Sequence, residues 1–329
     1  MGATIFRQNS RDAYKGPGRS SRAGRVALWS AMMLFAAALV LDFDPAWGLE
    51  KTNGKSPSFF YSFSYTPLYQ FETDLNRSGS FDVSRHYLRF DVMRRFNRNL
   101  RAGVGLSYDF EKWDFNNLST VAGASPWSKI HRPGISLPVF YSFADSWTLG
   151  VIPSIELAGE SGARSSESLT SGAVVSLAHP FSQRLALGLG FGIFDRLEKT
   201  RIFPFILINW EINEQLRLSN PLRAGPAGPA GLELVYMLHR WELGIGGAYR
   251  SYRFRLDDTS AAPNGVGENE FVAAFFRVQR KLGPNLALDL AAGGLFAGEL
   301  TVEDSNGIKI GADEYDTSPF VALTLAGKF

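Results

Sequence analysis

Residues 100–111 read LRAGVGLSYDFE, and within them Leu100, Ala102, Val104, Leu106, Tyr108 and Phe110 alternate with Arg101, Gly103, Gly105, Ser107, Asp109 and Glu111. A period of two belongs to a β-strand, whose successive side chains leave opposite faces of the pleat. One face here is oily and the other is small or charged, so the strand separates an apolar phase from water. The alternation returns in Ile135, Leu137, Val139, Tyr141 and Phe143, in Trp147, Leu149, Val151 and Ile155, and in Leu185, Leu187, Leu189, Phe191 and Ile193.

Six brief polar turns, each followed by a similar strand start, punctuate the chain: FNRNLRAGVG, ADSWTLGV, SQRLALGLG, NEQLRL, HRWELGIG and GPNLALDL. They read as an internal repeat of one hairpin. Between them lie longer polar segments near residues 70–79, 111–131, 158–167, 195–200, 219–230, 256–269 and 300–316. Tight turns alternating with long loops place all turns at one end of a sheet and all loops at the other. The pattern predicts an all-β fold, a transmembrane antiparallel up-and-down β-barrel of about fourteen strands, with twelve as the alternative. RAGPAGPAG, at residues 223–231, mimics a collagen repeat but is far too short for one and reads as a loop. Trp147, Trp210 and Trp241 sit beside predicted turns, where an aromatic girdle would meet the membrane interface; ordinary core is their other reading.

Composition agrees with a single exported unit. The chain has 329 residues, a formal net charge of +2, no cysteine, 13% aromatics and 33 glycines. Basic residues are dispersed, which argues against a nucleic-acid partner, and the absence of cysteine excludes disulfides and thiolate chemistry. Arg7, Arg11, Lys15, Arg19, Arg22 and Arg25 precede the apolar run 26–41, and Ala46 and Gly48 are spaced for cleavage before Leu49. This predicts a cleavable signal peptide at residues 1–48 and a barrel over 49–329; an uncleaved anchor is the alternative. The short stretch after Leu49 leaves no room for a substantial N-terminal plug.

The chain ends PFVALTLAGKF, with Val321, Leu323, Leu325 and Phe329 on one face. A soluble domain seldom ends on an apolar strand, since an open edge invites aggregation. An alternating last strand with a terminal Phe resembles the membrane-insertion signal of bacterial outer-membrane β-barrel proteins. Gly327 stands where that pattern has a hydrophobic residue. The resemblance is to the class and to no particular porin or transporter family. It implies a bacterial outer-membrane location, with outer-membrane lipid and the barrel assembly machinery as partners; the oligomeric state is not indicated.

If the oily faces meet lipid, the opposite faces line a lumen. Alternation places Arg85, Tyr87, Arg89 and Asp91 there, then Arg101, Asp109, Glu156, Glu233, Glu242, Arg277 and Asp289. Such mixed charge suits a porin-like channel for small solutes. It suits equally a network of ion pairs that fills and stiffens a closed barrel, which would act structurally or through its long loops near 111–131 and 300–316. Phe203, Phe205 and Leu207, and Phe271, Ala273 and Phe275, also fall on the lumen side. They read as a one-residue slip of register first, and otherwise as dense packing or a route for hydrophobic compounds.

No enzyme is expected. Ser84 and His86, two apart on one face of the second strand, resemble the serine and histidine of outer-membrane phospholipases, but in reversed order and with no third residue to orient the imidazole. His131, His179 and His239 are isolated. Glu303, Asp304, Asp313, Glu314 and Asp316 fit no calcium loop, so neither a metal nor a cofactor is expected.

Overall fold

In the computed structural model, residues 59–121, 123, 125–144, 146–220 and 231–329 are described. The predicted signal peptide and its cleavage site lie outside them, as does most of the Gly/Pro-rich stretch. Seventeen strand segments form one sheet: β1 (Phe59–Asp74), β2 (Ser80–Arg95), β3 (Leu100–Asn116), β4 (Lys129–Ser136), β5 (Val139–Phe143), β6 (Trp147–Leu157), β7 (Gly159–Glu160), β8 (Leu169–Pro180), β9 (Leu185–Asp195), β10 (Thr200–Glu211), β11 (Leu216–Ser219), β12 (Gly231–Leu238), β13 (Trp241–Arg255), β14 (Val266–Lys281), β15 (Leu286–Glu303), β16 (Lys309–Tyr315) and β17 (Ser318–Lys328). Three strands are written in two pieces, interrupted at 137–138, 158 and 316–317, so the barrel has fourteen antiparallel strands.

The sheet closes where β1 pairs β17, from Ser62 opposite Lys328 to Gln70 opposite Phe320. Closure leaves no strand edge along this seam, which a membrane-spanning sheet requires because lipid cannot satisfy an edge's N–H and C=O groups. Phe329 exchanges both backbone hydrogen bonds with Tyr61 at 2.8 Å, and its ring stacks on Phe63 at 6.2 Å. The Phe63 ring lies over Gly327 where a Cβ would stand. A neighbouring strand thus supplies the apolar surface that the last strand lacks at that position.

The six turns fall where the sequence placed them. The loops are shorter than expected, because β3 continues to Asn116, β14 starts at Val266 and β15 runs to Glu303, all within segments that read as loops. At that height the hairpins carry polar residues on both faces, so polarity no longer alternates although the ladder continues. A hydropathy pattern ends before the hydrogen bonds do.

The exterior is apolar. Leu189, Ile202 and Ile245 are 69%, 66% and 63% exposed, and Val321, Leu323 and Leu325 share that face with them. Trp210 and Trp241 also point outward beside turns, and Trp147 stacks on His179 at 4.7 Å. Such a band of oily side chains on a closed barrel matches lipid. An arginine at Leu189 should therefore cost about 2–4 kcal/mol of unfolding free energy, measured by urea titration of vesicle-inserted protein. A cost near zero would place Leu189 outside the membrane.

The inward phenylalanines correct the sequence reading. The register does not slip: Phe205 and Phe271 are buried within the barrel, while Ile202 and Ile206 face out. The Phe205 and Phe203 rings lie over Gly190 and Gly192 of the adjacent strand, where a side chain would collide with them. The glycines are the reason that an aromatic residue fits on an inward face.

Candidate lumen site

A large buried apolar cluster fills the loop-side half of the lumen. A chain of rings crosses it from Phe254 on β13 to Trp127 (5.1 Å), Trp113 on β3 (5.4 Å), Phe81 on β2 (5.4 Å) and Tyr315 on β16 (5.1 Å). Trp127 belongs to the segment after β3, which folds inward and also buries Leu118 and Val121. This segment, expected to be an outward loop, is core instead, because three large apolar residues within ten positions have no lipid to face at that height. The β13–β14 hairpin leans over the same end, and the Arg255 N–H donates to Ala158 O at 2.9 Å in a short parallel pairing of β13 with β7.

Ion pairs reinforce this plug. Arg132 and Glu111 form a close, fully buried pair, Arg85 Nε lies 3.5 Å from Glu111, and Trp113 Nε1 donates to Glu111 at 2.9 Å. The Arg132 guanidinium also rests on the Tyr252 ring, 4.4 Å from its centroid. Above them Arg253 joins Glu268 (2.6 Å) and Glu303 (2.8 Å). Arg132, Glu111, Arg253, Glu268 and Trp127 were not singled out from the sequence. Alternation carries no signal for them, since every residue of the run 252–256 is buried, as happens when both faces of a hairpin are covered.

The structure sorts the residues that alternation assigns to the lumen into groups. Arg89 and Asp109 are joined by two hydrogen bonds on neighbouring strands, and Tyr87 and Arg85 lie above them on β2. Near the turn side, Arg277 Nε lies 2.6 Å from Glu233, its Nη1 lies 2.7 Å from Asp289 and its Nη2 lies 3.7 Å from Glu242. Asp91 accepts from Ser62 at 3.3 Å, and Arg101 covers the Phe140 ring at 5.8 Å. Glu156 joins neither network by a hydrogen bond.

Between plug and turns the wall is built of small residues. One row of the sheet runs Ser64, Arg89, Ser107, Gly134 and Glu156 across five strands. All five are only partly buried, so water reaches them. Ser64, Ser107 and Gly134 add little volume between the two charged side chains of that row.

Ser84 and His86 face outward on β2. His86 Nδ1 is hydrogen bonded to Tyr65 Oη at 2.9 Å and its ring stacks between Tyr65 and Phe110, so an aromatic neighbour and not a carboxylate orients it. His131 is held likewise by Tyr108 Oη at 2.8 Å, and also by Ser161 Oγ at 2.9 Å. Of the loop carboxylates, Glu303 pairs with Arg253 and Lys199, while Asp313 accepts from Thr120 Oγ1 at 2.6 Å. Asp304 accepts the Ile308 and Asn306 N–H groups, which hold its carboxyl below the usual range. Among the described residues no three histidines or carboxylates converge as a metal site would require.

No family model matches the chain, and no curated protein does. Several solved barrels are similar in outline. The COG4313 outer membrane channel from Pseudomonas putida F1 superposes with a TM-score of 0.47 at 10% identity, over 85% of this chain and 98% of that one. The toluene transporter TodX of P. putida gives 0.41 at 8% identity, over 84% and 91%. The translocator domain of the autotransporter NalP from Neisseria meningitidis gives 0.36 at 9%, over 93% and 97%. Scores of this size describe barrels of like architecture and nothing finer.

Proposed function

We propose that this chain is a bacterial outer-membrane channel for small solutes, with its turn side toward the periplasm. The observation that carries the reading is the water-accessible row Ser64, Arg89, Ser107, Gly134 and Glu156 beneath the ring bridge. A barrel needed only as a wall would fill that space, as the loop-side half is filled. Mixed charges on a constricted wall select solutes by their field. Planar bilayers with the refolded mature chain test this: brief single-channel openings are expected, together with solute-driven swelling of liposomes. Silence in both, for the wild type and for variants of the plug, would end the channel reading.

A second reading has its own observation. The aromatic bridge and buried ion pairs occupy the loop side, which suits a closed barrel acting through its outer surface. That version survives only if no plug variant conducts.

Location and assembly belong to the same proposal. The apolar exterior and the seam at Phe329 support insertion into outer-membrane lipid by the barrel assembly machinery. Deleting Phe329 removes two backbone hydrogen bonds and a ring from the seam. Membrane-integrated protein in cells should then fall several-fold, while refolding into detergent is largely retained. Equal loss in both would make Phe329 a stability residue and not a signal.

A further inference from the structure

Positive charge is concentrated at the turn-side mouth of the barrel. Arg94, Arg95, Arg98 and Arg101 surround the turn from β2 to β3, and no carboxylate stands between Val92 and Tyr108. The pleat divides these arginines. Arg94 points outward, its guanidinium over the exposed rings of Phe59 and Phe96 at 5.3 and 4.9 Å. Arg95 and Arg101 take the inward face and stand directly opposite each other on the two strands. Their guanidinium groups lie over the rings of Phe60 at 5.5 Å and Phe140 at 5.8 Å, and Arg101 feels the charge of Arg95. Both side chains are only partly buried, so water reaches them.

Like charges directly opposite on neighbouring strands repel and lower stability. The carboxylates of the turn-side lumen are placed elsewhere. Glu233, Glu242 and Asp289 are matched by Arg277, Arg217 and Lys281. Asp91 stands opposite Gly105, about 13 Å further up β2 by the rise of a strand, and accepts from Ser62 at 3.3 Å. From Arg101 the row continues through Phe140, Gly150, Ser176 and Gly190, none of them charged. Stacking occupies the face of a guanidinium and leaves its in-plane N–H groups to an acceptor. Two such groups on adjacent strands, at a wet mouth, form a fork that fits the oxygens of one anion.

We infer that the turn-side mouth binds a small oxyanion, whose oxygens are shared between Arg95 and Arg101. The anion relieves the repulsion between the two cations, while Phe60 and Phe140 hold their planes in place. The inference rests on the channel reading for its biological use, where it names anions as the solutes that this mouth admits. Binding itself does not require conduction.

Inorganic phosphate is the probe, titrated at constant ionic strength into the refolded mature chain in an uncharged detergent. Saturable broadening of the phosphate resonance in phosphorus NMR is expected. Arg95→Gln and Arg101→Gln should each weaken binding about tenfold, the factor expected from one charge-assisted hydrogen bond. Arg95→Lys keeps the charge without the planar donors and should give a smaller loss. Arg94→Gln, which removes a cation from the lipid side of the same strand, should leave binding unchanged. Heat-modifiability on a gel confirms that each variant has folded. No saturable broadening, an indifferent Arg95→Gln, or an equal loss in Arg94→Gln overturns the inference; the last would mean that the basic rim attracts anions only through its diffuse field. Phosphate binding without current from the wild type or any plug variant would instead sink the channel reading and leave the site standing. Current that favours potassium over chloride, with no phosphate bound, does the reverse.

Discussion

Glu111→Ala should lower the unfolding free energy of the barrel by about 3–5 kcal/mol, the largest effect expected from any single charge in the lumen. Glu111 is 1% exposed and holds Arg132, Arg85 and the Trp113 indole together. Removing it leaves two buried guanidinium groups with only Asp109, 3.9 Å from Arg132 and already joined to Arg89, to offset their desolvation. The loss is therefore mostly the cost of orphaned cations and only partly the net worth of the pair. Replacing Glu111 and Arg132 together by leucine and methionine should recover part of the stability, because that apolar pair needs no compensation while Arg85 and the Trp113 indole still lose their acceptor. Urea titration in vesicles, followed by tryptophan fluorescence, measures both. A loss below about 1 kcal/mol for Glu111→Ala would mean that water penetrates the plug and that the pair behaves as an exposed one.

Trp127→Ala should cost about 3–5 kcal/mol and should also open the barrel. The indole is 1% exposed and is the central link of the ring chain, touching Trp113, Phe115 and Phe254. The backbone crosses the lumen there in the short β13–β7 pairing at Arg255, and the side-chain bridge between β3 and β13 runs through this indole. Its truncation leaves a cavity lined by rings that are held by opposite walls and cannot collapse together. Conductance in planar bilayers should rise, with longer openings than in the wild type, while Trp127→Phe should recover most of the stability and narrow the path again. Lost stability with unchanged conductance would show that the remaining plug, with Val121 and Leu118, seals the barrel alone.

The lipid face and the seam could be read from the chain because both follow from period and position. Val104, Leu106 and Tyr108 face out because every second residue must, and Val321, Leu323 and Leu325 face out for the same reason. The inward direction expected of Arg89, Asp109, Glu156, Glu233, Arg277 and Asp289 is the complement of that reading. Alternation gives direction only. That Arg277 gathers Glu233, Asp289 and Glu242, while Glu156 is left without a hydrogen bond, depends on which strands are neighbours and on their stagger.

Where alternation failed, the cause lies in a change of surroundings along one strand. At residues 252–256 both faces are covered, so the polarity pattern has no water to report on. At Phe203 and Phe205 the pattern was sound, but an aromatic residue on a lumen face looked like a slip because the glycines that receive it lie on another strand.

The sequence by itself determined the fold class, the hairpin order, the turn end and the membrane face, since these depend on local periodicity and turn chemistry, while the structure fixed the strand number at fourteen. Tertiary structure alone decided whether the lumen is filled or open. That depends on contacts between residues far apart in the chain, such as Trp127 with Phe254 and Phe81 with Tyr315. No spacing in the chain encodes such pairings, because they arise only when closure brings opposite walls within reach of each other.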